Sequence, residues 1–239
     1  MKKINQKINQ NYKNILLTRA LVNDMIEDEN QMPIIKKSNL YFNINKIKLT
    51  NFSNIKAVTN RSNTIIDLFN NDDVLNSLWN NPIKYVTKFD GFMGVLSPDY
   101  SVYPNMSKYL INYNVYKSRY IGAFYQSFGI NIIPTISWAK EDSYDVCFSG
   151  VEKESVVAIS TLGTSNAKEC FLNGFNEMKR RLKPSVIIVL GKIYEEMTGE
   201  FLLYTLHDTF NPNLKNKDLR LFDLAHHIIK RDGETIYGW

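Results

Sequence analysis

Cysteine and histidine are scarce in this chain of 239 residues, which has two cysteines and three histidines. Cys147 and Cys170 form no CxxC pair, and the histidines lie far from both in sequence. This pattern predicts neither a disulfide framework nor a zinc site. The motifs GxxxxGK[ST], GxGxxG and HExxH are also missing, which predicts that the protein has no P-loop, no dinucleotide-binding loop and no zincin site. No haem signature is present either, so no haem is predicted.

Long apolar runs are missing as well. No stretch approaches the 18 apolar residues of a membrane-spanning helix, which predicts that the protein has no membrane partner. The first residues, MKKINQKINQNYK, are positively charged but are not followed by the apolar stretch of a secretory signal. We therefore expect a cytoplasmic protein.

The net charge of +5 has two interpretations. It could indicate an acidic partner such as nucleic acid. It could equally reflect the codon bias of an AT-rich genome, because the chain is rich in Asn, Lys and Ile and its lysines are scattered among acids. The longest basic block is only Lys179-Arg180-Arg181.

What the sequence does contain is a repeated alternation of buried strands and amphipathic helices. Apolar strands are predicted near residues 94, 133, 158 and 188, and helices over about 105–129 and 166–182 separate them. Non-alternating apolar strands at this spacing are typical of a parallel sheet covered by helices. We predict an α/β fold with a mainly parallel sheet of at least four strands and helices on both faces, either an open sheet or barrel-like.

The flanks are less regular than this centre. We predict a mixed helix and strand flank over residues 1–85, the α/β core over 86–192, and a mainly helical extension over 193–239, which we expect to form one compact unit. Within the flanks, residues 40–50 suggest a strand, and residues 217–230 suggest a helix.

Ligands of parallel α/β sheets bind beyond the C-terminal ends of the strands. At one such end, the stretch SVVAISTLGTSN leads from a strand through Gly163 into a helix. Free backbone N–H groups and hydroxyls there suit a phosphate, whereas the alternative is a simple capped turn. The candidate ligand-binding residues of this turn are Ser160, Thr161, Gly163 and Thr164.

The other predicted strand ends carry acids and a tryptophan. Asp99, Glu141 and Asp142 could together hold Mg²⁺, with Asp99 and Asp142 as catalytic carboxylates, or they could be solvated loop acids. Trp138 could stack on a base or a sugar, or it could close the end of the core.

The long central helix offers a further polar pair. Asn112 and Arg119 either form an inward cluster that binds a ligand or flank the core and point to water. The tyrosines on this helix, at 109, 113, 116 and 120, either pack in the core or form a binding surface.

The central block resembles the domain-of-unknown-function family 4417, found in low-GC bacteria and often on phages, plasmids and other mobile elements. Four stretches carry the resemblance over roughly 100 residues: FDGFMGVLSPDYSVYPNM, NYNVYKSRYIGAFYQSFGINIIPTISW, FSGVEKESVVAISTLG and NGFNEMKRRLKPSVIIVLG. Family-like positions are Asp90, Asp99, Asn112, Arg119, Trp138, Ser149, Gly150, Ser160, Gly163, Gly174 and Gly191. The resemblance implies a mobile-element protein of unassigned activity with no known cofactor.

Two functions follow from these observations. The first is binding of a phosphate-bearing ligand, a nucleotide or nucleic acid, at the C-terminal ends of the strands, with Mg²⁺-dependent hydrolysis as an extension. The second is a non-catalytic module that inhibits or recruits a host protein, as an anti-defence or replication adaptor would. The sequence does not decide between them, and it does not determine whether the protein is an enzyme or what its oligomeric state is.

Overall fold

The computed structural model describes residues 18–38 and 47–204, together with the backbone of 227–231. Eight strands alternate with helices in these residues. The strands are β1 Lys48–Asn51, β2 Thr64–Asp67, β3 Gly94–Leu96, β4 Ile132–Ile133, β5 Val156–Ser160, β6 Val186–Leu190, β7 Gly199–Tyr204 and β8 His227–Arg231. The α-helices are α1 Asp72–Asn80, α2 Ile83–Phe89, α3 Lys108–Gln126, α4 Tyr144–Cys147 and α5 Lys168–Leu182.

The strands follow one another in chain order. β1 to β4 form one parallel sheet, and β5 to β7 form a second parallel sheet to which β8 adds an antiparallel edge. A parallel bridge between Thr135 and Ala158 joins the two sheets, with Ile136 N donating to Ala158 O at 2.8 Å. The strands therefore form one continuous, mostly parallel surface, which confirms the predicted α/β fold.

The two faces of this surface are covered differently. The outer face packs against the helices in two apolar clusters, one with α1, α2 and α3 and the other with α3, α4 and α5. The inner face forms a third cluster, built from strand residues with no member from a described helix. Its members are Ile47, Leu49, Ile65, Leu96, Ile133, Val156, Ala158, Ile188, Leu190, Leu202 and Tyr204.

The inner side chains are at most 8% exposed although no described helix covers them. We conclude that the sheet curves so that the strands fill its interior with their own side chains, as in an α/β barrel. Of the two predicted forms, this arrangement favours the barrel-like one, and the described helices pack on its outer face. Among the described pairings, none joins β1 to β8 to close the barrel.

The predicted flanks also differ from the structure. β1 and β2 belong to the same sheet as β3, so the parallel sheet begins well before residue 86. The described part of the C-terminal extension holds strands, β7 and β8, where a mainly helical extension was predicted. Most of the strand expected over 40–50 and most of the helix expected over 217–230 lie outside the described residues.

The central helices end where the sequence predicts. Pro82 separates α1 from α2, and α5 stops at Lys183, a left-handed residue with φ of 48° that precedes Pro184. Residues 144–147 form the short helix α4. In the described part of the chain, no helix has both the length and the apolar composition that crossing a membrane requires.

Candidate functional site

Polar side chains end the inward-facing rows of neighbouring strands. Leu49 and Ile65 belong to the inner cluster, and the next inward positions along β1 and β2 are Asn51 and Asp67. On β4, the same alternation leads from Ile133 inward to Ser137. The inward rows of these strands are thus apolar along their length and polar at their C-terminal ends, the place where parallel barrels bind ligands. We call Asn51, Asp67, Asn70, Asp99 and Ser137 the polar rim.

Asn51 and Asp67 form the most buried part of the polar rim, at 4% and 2% exposed. Asn51 Nδ2 donates to Asp67 Oδ1 at 2.9 Å, and the Phe69 backbone N–H donates to the same oxygen at 3.3 Å. Asn70 and Asn51 exchange amide hydrogen bonds at 3.2 and 3.4 Å. Asn51 Oδ1 also accepts from the backbone N–H of Ser53 at 3.1 Å, so the amide is held from several sides.

The second carboxylate oxygen of Asp67 is buried and has no hydrogen-bond partner. Burial raises the pKa of Asp67 to about 7, and the bonds from Asn51 and Phe69 counteract only part of that rise. A buried polar atom without a partner is uncommon, because it loses its bonds to water without replacing them. Within this site, Asp67 Oδ2 is therefore the atom that can accept a further hydrogen bond.

Asp99 lies beside Asp67 in the next loop, because its backbone N–H donates to the carbonyl of Leu68 at 3.3 Å. Its carboxylate accepts a short hydrogen bond from the hydroxyl of Ser137. Burial raises the pKa of Asp99 to about 6, against the lowering effect of the Ser137 bond, and nearby Asp72 raises it further. The polar rim thus contains two carboxyl groups whose pKa values lie close to neutral pH.

The sequence predicted Asp99 but missed Asn51, Asp67, Asn70 and Ser137. The short strands β1 and β2 lie in the Asn-rich flank, where the polar neighbours make their apolar pattern hard to recognise. The available signal was the stretch TIID (64–67), in which two buried isoleucines precede an acid.

The turn over 160–164 uses its hydroxyls within the protein. Thr161 Oγ1 donates to Lys192 O and accepts from Lys192 N, both at 2.8 Å, and Thr164 Oγ1 is 2.7 Å from the hydroxyl of Tyr194. Ser160 Oγ accepts from the backbone N–H of Leu162 at 3.2 Å, and Gly163 adopts a φ of 72°. These bonds hold the turn together without capping a helix, since neither the 3₁₀ segment Ser165–Ala167 nor α5 has a side-chain cap bond at its start.

Trp138 packs against α5 rather than facing the barrel interior. Its indole N–H donates to Phe171 O at 3.2 Å, and its ring lies 5.0 Å from that of Phe171. A Cβ atom on Gly174 would lie 2.1 Å from the indole, so only glycine allows this close approach. Trp138 therefore closes the outer core, as one of the two interpretations proposed.

Arg119 is the buried cation of α3, only 2% exposed. Its guanidinium donates to the carbonyls of Ser149 at 2.9 Å, Thr135 at 3.0 Å and Cys147 at 2.8 Å. Burial lowers the pKa of Arg119 to about 10. Arg119 is thus buried rather than pointing to water, and its contacts join α3 to the segments after β4 and α4.

The remaining predicted residues are exposed and lie apart from one another. Asn112 is exposed on α3, and Glu141 and Asp142 are exposed on a 3₁₀ turn. Glu141 lines a groove of about 570 Å³ beside α5, together with Cys170 and Arg181. The described residues contain no group of three His, Cys, Asp or Glu side chains that could hold a metal ion, so Asp99, Glu141 and Asp142 do not assemble the predicted magnesium site.

The tyrosines of α3 divide between core and surface. Tyr120 is buried and Tyr116 packs against the core, whereas Tyr109 is 73% exposed and Tyr113 is 47% exposed. The core interpretation thus holds for Tyr116 and Tyr120, whereas Tyr109 and Tyr113 are open to solvent.

Comparison with known proteins identifies the family of the chain. The family model described as Domain of unknown function (DUF4417) matches residues 27–208. Over 131 residues, the chain is 35% identical to the Gene 1 protein of Mycobacterium phage L5 and 31% identical to the Gene 1 protein of Mycobacterium phage D29. These matches cover 54% of this chain, and 57% and 48% of the two phage proteins, so the chain spans about half the length of the curated relatives it matches. No solved structure matches the chain. With most of its length matched by the family model, the chain belongs to the DUF4417 family.

Proposed function

We propose that the protein binds a nucleotide, free or as part of a nucleic acid, at the polar rim of its barrel. The observation that carries this proposal is the buried, unpartnered oxygen of Asp67 at the C-terminal end of a parallel strand. Ligands of parallel α/β barrels bind at that end, and a hydrogen-bond donor on the ligand would restore the missing bond. The net charge of +5 favours an acidic ligand as a whole.

The proposal is limited to binding and includes no metal-dependent hydrolysis. The residues expected to hold Mg²⁺ do not come together, and the hydroxyls of Thr161 and Thr164 are already engaged. The proposed place of action is the cytoplasm, which agrees with the free thiols of Cys147 and Cys170.

Nucleotide binding is expected to raise the melting temperature of the protein. A ligand at 100 times its Kd stabilises the folded state by about 2.7 kcal/mol, which corresponds to roughly 5–10 °C for a chain of this size. The measurement is a thermal-shift screen of ribonucleotides, deoxyribonucleotides and short single-stranded DNA and RNA, with and without Mg²⁺. Sodium sulfate at matched ionic strength is the control for screening by salt. If no nucleotide and no nucleic acid shifts the melting temperature, the proposal is wrong.

A second candidate function, binding of a host protein, is supported by an exposed apolar surface at the start of α3. Of the eight large hydrophobic side chains exposed in the described residues, four lie within residues 103–113. We call these four the aromatic face: Tyr103, Tyr109, Leu110 and Tyr113. Tyrosine-rich surfaces with little charge are typical of the centres of protein interfaces.

Replacing Tyr109 and Tyr113 together by serine is expected to abolish the recovery of a stoichiometric partner from host cells. Truncating two central aromatic residues of an interface typically lowers affinity by more than tenfold. The matched control replaces Leu21 and Ile26, which are exposed apolar residues that do not belong to the aromatic face, by serine. A partner that is retained equally by both double variants would exclude the aromatic face as its binding site.

A further inference from the structure

We infer that the polar rim recognises the base or the ribose of a nucleotide through Asp67, and that the phosphate stays outside the polar rim. This inference rests on the proposed function and specifies which part of the ligand the site contacts.

The acceptor is fixed in position before a ligand arrives. Asp67 Oδ1 is held by Asn51 Nδ2 at 2.9 Å and by the Phe69 N–H at 3.3 Å. Asn51 is held in turn by Ser53 and Asn70. Because these bonds set the orientation of the carboxyl group, little conformational freedom is left to lose when a ligand binds.

This cluster can accept a further hydrogen bond, so it suits a ligand that donates one. The amide of Asn51 already makes bonds through both its nitrogen and its oxygen, whereas Asp67 Oδ2 makes none. A carboxylate oxygen accepts from N–H and O–H groups, and aspartate accepts in this way from base amino groups. The base amino groups and the ribose hydroxyls are the parts of a nucleotide that donate.

The charges around the polar rim disfavour phosphate. The backbone of Asp99 is bonded to Leu68, the residue after Asp67, and Asp72 is close enough to Asp99 to raise its pKa. The hydrogen bonds of the Asp67 carboxylate come from an amide and a backbone N–H, and neither donor carries positive charge. The buried cation Arg119 lowers the pKa of Asp99, but its guanidinium already donates to three backbone carbonyls. A phosphate placed among these carboxylates would meet like charge at short range, where repulsion is strong.

Asn70 provides a second contact at the solvent side of the cluster. It is partly exposed, and it is linked to Asn51 by a pair of amide hydrogen bonds. The amide of Asn70 retains donor and acceptor capacity beyond this pair, so it can bond a base or a ribose that is held at Asp67.

Calorimetric titration of the full chain with separated parts of the ligand tests the inference. The probes are the nucleotide that binds most tightly, its nucleoside, the free base, ribose and inorganic phosphate. We expect the Kd of the nucleoside to lie within about tenfold of that of the nucleotide, and we expect inorganic phosphate not to compete with either. If the base or the ribose binds alone, that result identifies the part of the ligand whose donor contacts Asp67.

Asp67→Asn is expected to weaken nucleoside binding about 10- to 100-fold, because the variant loses a hydrogen bond to a charged group. Asp142→Asn, which changes an exposed carboxylate, is the matched control and is expected to bind normally.

The outcomes separate the inference from the proposed function. A nucleotide that binds equally to the Asp67→Asn variant and to the unchanged protein would overturn the inference and leave the proposed function intact. Competition by inorganic phosphate, with no binding of the nucleoside, would overturn it in the same way. If no nucleotide binds the unchanged protein, the proposed function itself fails. Asn70→Ala gives a second test in case Asp67→Asn does not fold, and it is expected to weaken nucleoside binding severalfold.

Discussion

Replacing Asp67 by asparagine is expected to reduce the loss of stability that the protein shows between pH 4 and pH 7. The pKa of Asp67 is about 7 in the folded state, compared with 3.8 for an aspartate that is exposed to water, as in the unfolded chain. Between these two values, the folded protein keeps the proton that the unfolded chain has released, so the free energy of unfolding falls as the pH rises. Above pH 7, the full penalty of the buried carboxylate is present, on the order of a few kcal/mol.

The measurement is denaturant unfolding at pH 4.5 and pH 8 for both proteins. Asp67→Asn removes the titrating group, so its free energy of unfolding should fall less between the two values of pH. A smaller fall remains, because the pKa of Asp99 is raised to about 6 and acts in the same direction. Asp142→Asn should leave the pH dependence unchanged. An Asp67→Asn variant with the pH dependence of the unchanged protein would show that Asp67 is not buried as a carboxylate in the folded state.

Arg119→Met is expected to lower the free energy of unfolding by about 3–5 kcal/mol. Methionine fills much of the space of the arginine but leaves the carbonyls of Thr135, Cys147 and Ser149 without the bonds that the guanidinium supplies. Unpaired buried carbonyls cost more than the desolvation of the cation returns. Because small domains are stable by only about 5–15 kcal/mol, a loss of this size removes much of the margin.

Urea-induced unfolding at one pH measures this effect. The matched control is Arg180→Met on α5, which removes an arginine that is 69% exposed and pairs with Glu177. Surface ion pairs of this kind contribute at most about 1 kcal/mol. Equal losses in the two variants would contradict the structural role of Arg119.

The strands and helices of the centre could be predicted from the sequence because each has a strong periodic pattern. Residues 156–160 and 186–190 are apolar throughout and end at Ser160 and Gly191, and the structure has strands there. β1 and β2 could not be predicted, because strands of four residues give too little alternation to stand out from Asn-rich surroundings. The site could not be predicted for the same reason, because Asn51 and Asp67 are the last residues of those strands.

Contacts between distant residues account for the remaining differences. The sequence places Trp138 and the 160–164 turn at strand ends, but it does not reveal that Gly174 receives the indole or that Lys192 pairs with Thr161. The curvature of the sheet is a similar case, because the same apolar strands suit an open sheet and a barrel. Such outcomes depend on packing between segments far apart in sequence.

The order of the strands has a consequence for how the chain folds during synthesis. Each of β2, β3, β4, β6 and β7 pairs with the strand that precedes it in the chain, and the Thr135 bridge does the same for β5. A growing chain leaves the ribosome from its N-terminus, so each new strand meets a partner that has already been made. Only β8 must reverse direction to pair with β7. Ribosome-bound chains in which a C-terminal linker places residue 204 outside the exit tunnel should therefore protect the first seven strands from proteolysis without the final strand.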